Sequence, residues 1–236
     1  MRFNTGLCSI SFRDRSVFDI ADAVKKVSLD AVEWGSDVHA PVGSGRIDGV
    51  KCSSYGTYFR LGVTPICELE SYIETARALD TDVLRLWCGA CGSGECSDKN
   101  ALFDICREAS AIAERDGVTL CMECHQGTYT DTAESSLELM REVNSDNFRM
   151  YWQPNQYRTV EENIASAKAV APFVKNIHVF NWEGDKKYPL IEAVDTWKRY
   201  LELFGSGTLL LEFMPDGRLE SLEREAEALF KITEGI

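Results

Sequence analysis

Short apolar segments alternate with longer amphipathic segments along almost the whole chain, and this alternation restricts the fold more than any other feature. Eight apolar runs are predicted to be strands, at residues 7–12, 31–34, 50–55, 83–88, 119–125, 148–153, 174–181 and 208–214. Seven amphipathic stretches are predicted to be helices, at residues 16–27, 68–79, 99–115, 132–143, 160–170, 190–204 and 219–233. Continuous apolar runs are typical of parallel strands that are buried on both faces. The order of these segments therefore predicts a repeated strand–helix unit with a parallel sheet.

One helix is missing from the repeat. The stretch between the second and third predicted strands contains Pro41, Gly43, Gly45 and Gly49 and has no helical periodicity, so we expect a loop there in place of the second helix. Eight strands favour a closed (β/α)₈ barrel over an open sheet, and the first strand–helix turn lacks the glycine pattern of dinucleotide-binding folds. We therefore predict a single α/β domain, a TIM barrel that spans residues 1–236.

Two helices carry recognisable start signals. Ser16 has Asp19 three residues later, and Asp131 has Glu134 at the same distance, so Ser16 and Asp131 are expected to cap the first and fourth helices.

Charge and hydropathy exclude several classes of partner. The formal net charge is −13, which argues against nucleic acid because phosphate contacts need clustered lysine and arginine. No apolar run is long enough to span a membrane, and the amino terminus has no export-signal pattern, so we expect a cytoplasmic protein. The expected partners are a small-molecule substrate and, at most, further copies of the same chain.

The nine cysteines are expected to be free thiols in a reducing compartment. Cys88 and Cys91 have the spacing of half a zinc site, and Cys121 and Cys124 could supply the other half. Structural zinc is the less favoured alternative, because Cys121 and Cys124 lie in a predicted strand and would point to opposite faces.

Each of the last four predicted strands ends with one polar residue, namely Glu123, Gln153, His178 and Glu212. They lie 30, 25 and 34 residues apart, or about one strand–helix unit each, so all four can reach the same depth on adjacent strands. Active sites of barrels of this kind are built at the carboxyl ends of the strands. Buried carboxylates and imidazoles are costly unless they are paired or bind a metal.

The chemistry of these four side chains suggests a metal-assisted proton transfer. Two carboxylates, an amide carbonyl and an imidazole offer three oxygens and a nitrogen, a set that suits Mn²⁺, Mg²⁺, Co²⁺ or Zn²⁺. A metal that holds two substrate oxygens acidifies the adjacent C–H bond and stabilises an enediolate. Glu123 and Glu212 could then remove and return the proton.

Further polar and aromatic residues lie at the ends of predicted strands four to seven or just after them, and could contact a substrate, namely Trp87, His125, Asn155, Arg158 and Trp182. Aromatic walls and amides suit a polyol, because sugar C–H faces stack on rings while hydroxyls need fixed partners. The alternative for Trp87 and Trp182 is packing at the barrel rim, and His125 could instead support Glu123.

At these residues the chain resembles the xylose isomerase-like TIM barrels. The pattern Glu, acid or amide, His and Glu on strands five to eight carries the resemblance, together with LCSISF at residues 7–12, VEW at 32–34 and SSYG at 53–56. The resemblance implies that Glu123, Gln153, His178 and Glu212 occupy the family's metal positions, and that Glu123 and Glu212 are its acid/base pair.

Two features depart from the family pattern. Gln153 stands where an aspartate is usual, which removes one negative charge and should weaken metal binding. The absent second helix opens one side of the barrel. The endonuclease branch of the superfamily is disfavoured, because its trinuclear zinc site needs many histidines and this chain has three.

The resemblance and the residues together predict a divalent-metal-dependent isomerase or epimerase of a small sugar or polyol, acting through a cis-enediolate. A dehydratase or lyase on the same scaffold is the second interpretation. The third is a barrel that binds a carbohydrate without converting it, which Gln153 keeps open. All three require the four side chains to meet in one cavity at the carboxyl ends of the strands.

Overall fold

The apolar runs form the eight strands of a closed parallel barrel in the computed structural model, which describes residues 2–235. The strands are β1 (Phe3–Cys8), β2 (Ala31–Gly35), β3 (Lys51–Leu61), β4 (Val83–Cys88), β5 (Thr119–Glu123), β6 (Phe148–Trp152), β7 (Val174–Val179) and β8 (Gly207–Leu211). Each strand pairs with the next along the chain, and β1 closes the barrel against β8 with Leu7 opposite Leu211. The prediction of a TIM barrel is confirmed.

The amphipathic stretches form the outer layer of helices. These are α1 (Val17–Lys26), α2 (Leu69–Ala78), α3 (Lys99–Arg115), α4 (Ala133–Val143), α5 (Val160–Val170), α6 (Val194–Leu201) and α7 (Leu222–Thr233). Within the described residues, β2 and β3 are joined by a stretch without a helix, as the glycines and Pro41 predicted.

Most of the hydrophobic core lies between the strands and the helices. Trp152 at the end of β6 is an example, since its ring lies 5.2 Å from the rings of Tyr200 and Phe204 and 6.1 Å from that of Trp197. A smaller apolar group fills the barrel interior and includes Cys121 of β5 and Leu210 of β8. This packing fixes the strand ends that carry the polar residues.

Three local predictions were wrong. The third strand was expected at residues 50–55, but β3 continues to Leu61. The first strand was expected at residues 7–12, but β1 ends at Cys8 and Ser9–Phe12 form a 3₁₀ helix. The chain turns there because the Ser9 hydroxyl accepts a hydrogen bond from the Gly35 amide at the end of β2.

The cap of α4 is Thr132 rather than Asp131. The Thr132 hydroxyl accepts from the Ser135 amide at 3.1 Å, whereas the Asp131 carboxylate accepts from the amide and hydroxyl of Ser93 in the loop after β4. The predicted cap of α1 is confirmed, because Ser16 and Asp19 form a reciprocal capping box.

A short antiparallel hairpin, Trp182–Glu183 with Lys186–Lys187, projects from the loop after β7. Two hydrogen bonds join the hairpin to the loop after β6. The Gly184 amide donates to the Gln156 carbonyl at 2.9 Å, and the Tyr157 hydroxyl donates to Asp185 at 2.6 Å. The hairpin and that loop therefore form one wall of the carboxyl end of the barrel.

All nine cysteines are free thiols. Cys88 lies against Cys106 on α3, with 3.6 Å between the sulfur atoms, and Cys88 belongs to no group of His, Cys, Asp and Glu in residues 2–235 that is close enough to share an ion. None of the helices in this range has the length and apolar character needed to cross a membrane.

We predict that Thr132→Ala lowers the free energy of unfolding by about 1 kcal/mol, because the Ser135 amide loses its hydrogen-bond acceptor. Urea denaturation of the purified variants measures this. Thr132→Ser keeps the hydroxyl and should retain most of the stability, and equal losses in both variants would show that Thr132 does not act as a cap.

Candidate active site

The four polar residues at the ends of β5 to β8 converge at the carboxyl end of the barrel. The Nδ1 atom of His178 lies 3.1 Å from Oε1 of Gln153, 3.5 Å from Oε1 of Glu123 and 3.7 Å from Oε2 of Glu212. All are buried except Gln153, which is half-buried. The predicted meeting of the four side chains is found in the structure, whereas their roles in metal binding and catalysis stay predictions.

Nδ1 of His178 is close enough to each of its three neighbours to share an ion with it, because metal–ligand bonds of about 2.1 Å place neighbouring ligand atoms roughly 3.0–3.4 Å apart. Among the His, Cys, Asp and Glu residues of 2–235, the group whose ligand atoms all lie within 4.8 Å of one another is Cys8, His178 and Glu212, and it does not include Glu123. The other ring nitrogen of His178, Nε2, is buried and has no hydrogen-bond partner in the described part of the chain.

A buried arginine lies between two of the site's glutamates. Arg85 on β4 is 2% exposed; its Nε donates to Oε1 of Glu33 at 3.0 Å, and its Nη1 pairs with Oε2 of Glu123. The Trp87 indole donates to the same Oε2 of Glu123 at 2.6 Å. One oxygen of Glu123 therefore receives two donors, while the other faces His178.

A glycine on β3 makes room for this ion pair. A Cβ atom at Gly56 would lie 2.5 Å from Oε1 of Glu33 and 3.0 Å from Nη2 of Arg85. The other oxygen of Glu33 accepts from the Ser54 hydroxyl at 3.0 Å. Gly56 thus lets β3 approach the charged groups without blocking them.

The sequence analysis assigned no role to Glu33 or Arg85. Each is a charged residue flanked by apolar residues within a strand, the same signal that identified Glu123 and Glu212. They lie on β2 and β4 and not at the carboxyl ends of the last four strands.

Electrostatics separate the glutamates into two kinds. Burial alone would raise the pKa of Glu33, but Arg85 and His178 outweigh burial and lower it to about 2. Burial opposes Arg85 and His178 at Glu123 also, and they hold its pKa well below the usual value. At Glu212, burial and the charge of Glu123 outweigh the attraction of His178, so its pKa is raised. Glu212 is therefore better suited than Glu123 to accept and return a proton near neutral pH.

The neighbours of His178 raise its pKa. Burial alone would lower its pKa, but interactions with Cys8, Glu212 and Glu123 raise it well above the usual value. The thiol of Cys8 is itself harder to ionise than usual, because burial raises its pKa to about 12.

The site opens into a cavity of about 200 Å³ at the carboxyl end of the barrel. Glu123, Gln153 and Glu212 form its floor, and Phe180 and Phe213 contribute apolar wall. A larger cavity, of about 720 Å³, lies at the opposite end and is lined by residues such as Asn4 and Thr208. The smaller cavity is the candidate active site, because the four converging side chains and the open strand ends lie there.

The predicted substrate contacts Asn155, Arg158 and Trp182 line the candidate cavity together with His125, whereas Trp87 is not among the residues that line it. The Asn155 carbonyl accepts from the Asn163 amide at the start of α5, which anchors the loop. The indole nitrogen of Trp182 is buried and has no hydrogen-bond partner within residues 2–235.

The other two predicted contacts, His125 and Trp87, stack on each other with ring centres 4.7 Å apart. His125 lines the cavity, and its Nδ1 pairs with the Gln126 carbonyl at 2.7 Å. The alternative role predicted for His125, direct support of Glu123, falls to Trp87, whose indole makes that contact.

Comparison with known proteins agrees with this architecture. A family model described as xylose isomerase-like TIM barrel matches residues 65–230. A search of curated proteins gave no significant match.

Solved structures of similar fold include three of interest. The probable 3-DHS dehydratase AsbF from Bacillus anthracis has 18% identity and a TM-score of 0.81, over 96% of this chain and 98% of that one. A zinc-bound IOLI protein has 16% identity and a TM-score of 0.72, over 98% and 96%. A D-psicose 3-epimerase from Clostridium cellulolyticum H10, solved with D-tagatose, has 12% identity and a TM-score of 0.66, over 96% and 97%. At these identities the likeness concerns the fold.

We predict that Gln153→Asp tightens Mn²⁺ binding by at least about tenfold, because a charged oxygen replaces a neutral one beside the ion. Calorimetric titration measures the affinity. Gln126→Asp is the matched control, since Gln126 lines the same cavity without contacting the cluster. An equal gain in both variants, or none at Gln153, would mean that Gln153 is not a ligand.

Proposed function

This chain belongs to the xylose isomerase-like TIM barrel family, and on that premise we propose that it is a cytosolic, divalent-metal-dependent isomerase or epimerase of a small sugar or polyol. The observation that carries the proposal is the approach of Glu123, Gln153 and Glu212, all of which line the cavity, to Nδ1 of the buried His178. The partners we propose are the substrate and further copies of this chain, without nucleic acid or membrane.

The cluster would hold the ion through Oε1 of Glu123, Oε1 of Gln153, Nδ1 of His178 and Oε2 of Glu212. When bound, a divalent ion would polarise the substrate carbonyl and make the neighbouring C–H bond more acidic. Glu212 removes that proton and returns it, because its raised pKa suits both directions of transfer. Glu123, which Arg85 keeps ionised, orients the other donors.

The cavity walls support a polyol as the substrate. Trp182 and Phe213 offer ring faces to the C–H groups of a sugar, and their rings lie 5.7 Å apart. The side chains of Asn155 and Arg158 offer hydrogen bonds to hydroxyl groups. A volume of about 200 Å³ restricts the substrate to a small molecule.

A dehydratase is the second candidate. The observation that favours it is the asymmetry between the carboxylates, because an elimination needs one base for the proton rather than two on opposite faces. The dehydratase AsbF, of similar fold, supports the same reaction class. In this alternative Glu212 removes the proton and the substrate then loses a hydroxyl group as water.

Binding without turnover is the third candidate. The Gln153 amide donates to Oε1 of Glu123 at 3.2 Å and to the Cys124 carbonyl at 3.1 Å, while its carbonyl faces His178. Gln153 can therefore close a hydrogen-bond network without an ion.

Solvent exchange separates the three candidates. The protein is incubated with Mn²⁺ in deuterated water and a panel that includes D-tagatose, other ketoses and 3-DHS, and the products are followed by mass spectrometry. A product whose mass rises only by the incorporated deuterium supports an isomerase or epimerase. A product that has lost the mass of water supports a dehydratase. Binding of a sugar with neither deuterium incorporation nor loss of water would favour the carbohydrate-binding barrel and overturn the proposed enzymatic function.

We predict that Glu212→Gln lowers the exchange rate by at least about a hundredfold, the usual loss when a general base is removed. Metal content should fall only modestly, because the amide still offers a carbonyl oxygen.

Glu225→Gln is the control for this change, since Glu225 on α7 is also a buried glutamate but accepts from the Leu190 amide outside the site. It should alter the melting temperature and leave exchange unchanged. Near wild-type exchange in Glu212→Gln would rule out the role assigned to Glu212.

A further inference from the structure

Glu123 and Glu212 occupy equivalent positions at the ends of their strands, but their surroundings differ. Oε2 of Glu123 is held by the guanidinium of Arg85 and the indole of Trp87. In the described part of the chain, no hydrogen bond ties down the carboxylate of Glu212, whose contact with His178 is 3.7 Å long.

We propose that Arg85, anchored by Glu33, is a positioning residue that reserves Glu123 for binding through one oxygen, Oε1. The inference rests on the proposed function, since it assigns Glu123 to the ligand set described above. It narrows that function, because only Glu212 then remains free to carry a proton.

The anchor is Glu33. Its Oε1 accepts from Nε of Arg85 at 3.0 Å and its Oε2 accepts from Ser54, so both oxygens have partners. Gly56 leaves only the space that Glu33 and Arg85 occupy, because a Cβ atom there would lie 2.5 Å from Oε1 of Glu33. The guanidinium thus links β2 to β5 across the two strands between them, with one nitrogen on each glutamate, and it holds Oε2 of Glu123 in place.

Arg85 also changes the charge that an ion would meet. It is buried, so its positive charge is poorly screened and offsets much of the charge of Glu33 and Glu123. Without Arg85, two buried carboxylates would remain uncompensated beside His178. We therefore expect Arg85 to weaken ion binding while it keeps Glu123 in place.

A single carboxylate without a hydrogen-bond partner among the described residues restricts the reaction. In an isomerisation, Glu212 takes the proton from a hydroxyl-bearing carbon next to a carbonyl, and the C–H electron pair forms the C=C bond of an enediol while the carbonyl electron pair moves to its oxygen. The proton then returns to the former carbonyl carbon, a new carbonyl forms at the carbon that lost the proton, and a hydroxyl proton passes between the two oxygens. Inversion at one carbon needs bases on opposite faces, so the site favours isomerisation or elimination over epimerisation.

Titration with Mn²⁺ tests the role of Arg85 without any substrate. Arg85→Met should tighten Mn²⁺ binding by about tenfold or more, because it removes a buried positive charge and frees Oε2 of Glu123. Glu33→Gln should weaken binding by a similar factor, because the charge of Arg85 is then balanced by Glu123 alone. A merely structural role would weaken binding in both variants.

Two further variants serve as a control and as a substitute for Arg85→Met. Arg77→Met is the matched control, since Arg77 pairs with Asp116 on the exposed helices and should leave the affinity unchanged. If Arg85→Met does not fold, the double variant Glu33→Gln with Arg85→Met removes the pair together, and it should bind Mn²⁺ more tightly than Glu33→Gln alone.

The outcomes distinguish this inference from the proposed function. Equal affinity in wild type and Arg85→Met, or weakening in both Arg85→Met and Glu33→Gln, overturns the positioning role and leaves the metal site standing. Binding that appears only after Arg85→Met supports the role of Arg85 and overturns the metal-dependent function of the wild type. Absence of binding in every variant overturns both.

Discussion

The candidate site depends on one buried interaction, the bridge that Arg85 forms between Glu33 and Glu123. Two carboxylates inside a barrel would repel each other and lose hydration, and removal of one partner from such a group is strongly destabilising. Arg85 compensates both charges, and Gly56 leaves the space that its guanidinium needs. The floor of the cavity can therefore keep its shape whether or not an ion is present.

This bridge gives different surroundings to two glutamates that look alike in the sequence. Glu123 and Glu212 each end an apolar run, but only Glu123 faces a fixed cation and an indole donor. Its pKa falls because Arg85 and His178 outweigh burial, whereas that of Glu212 rises because burial and the charge of Glu123 outweigh His178. Two chemically identical side chains therefore differ in how readily they bind a proton.

Much of the fold could be predicted from periodicity, because eight buried parallel strands and seven amphipathic helices leave a regular trace in the chain. The loop in place of the second helix was visible in its glycines. The end of β1 was missed because residues 9–12 continue its apolar pattern, although a hydrogen bond to Gly35 turns the chain there. At the site, spacing predicted that His178 would meet its three neighbours. Spacing could not show which carboxylate Arg85 would reach, since that depends on side-chain direction across the barrel.

The hairpin after β7 and the loop after β6 are fastened to each other through Gly184 and Asp185. They are separate in sequence, yet an insertion in either would break the fastening unless the other changed too. Over evolutionary time these two loops should therefore vary as a pair. A lineage that acquired a bulkier substrate would carry the trace of that change in both loops, while the barrel beneath them stayed the same.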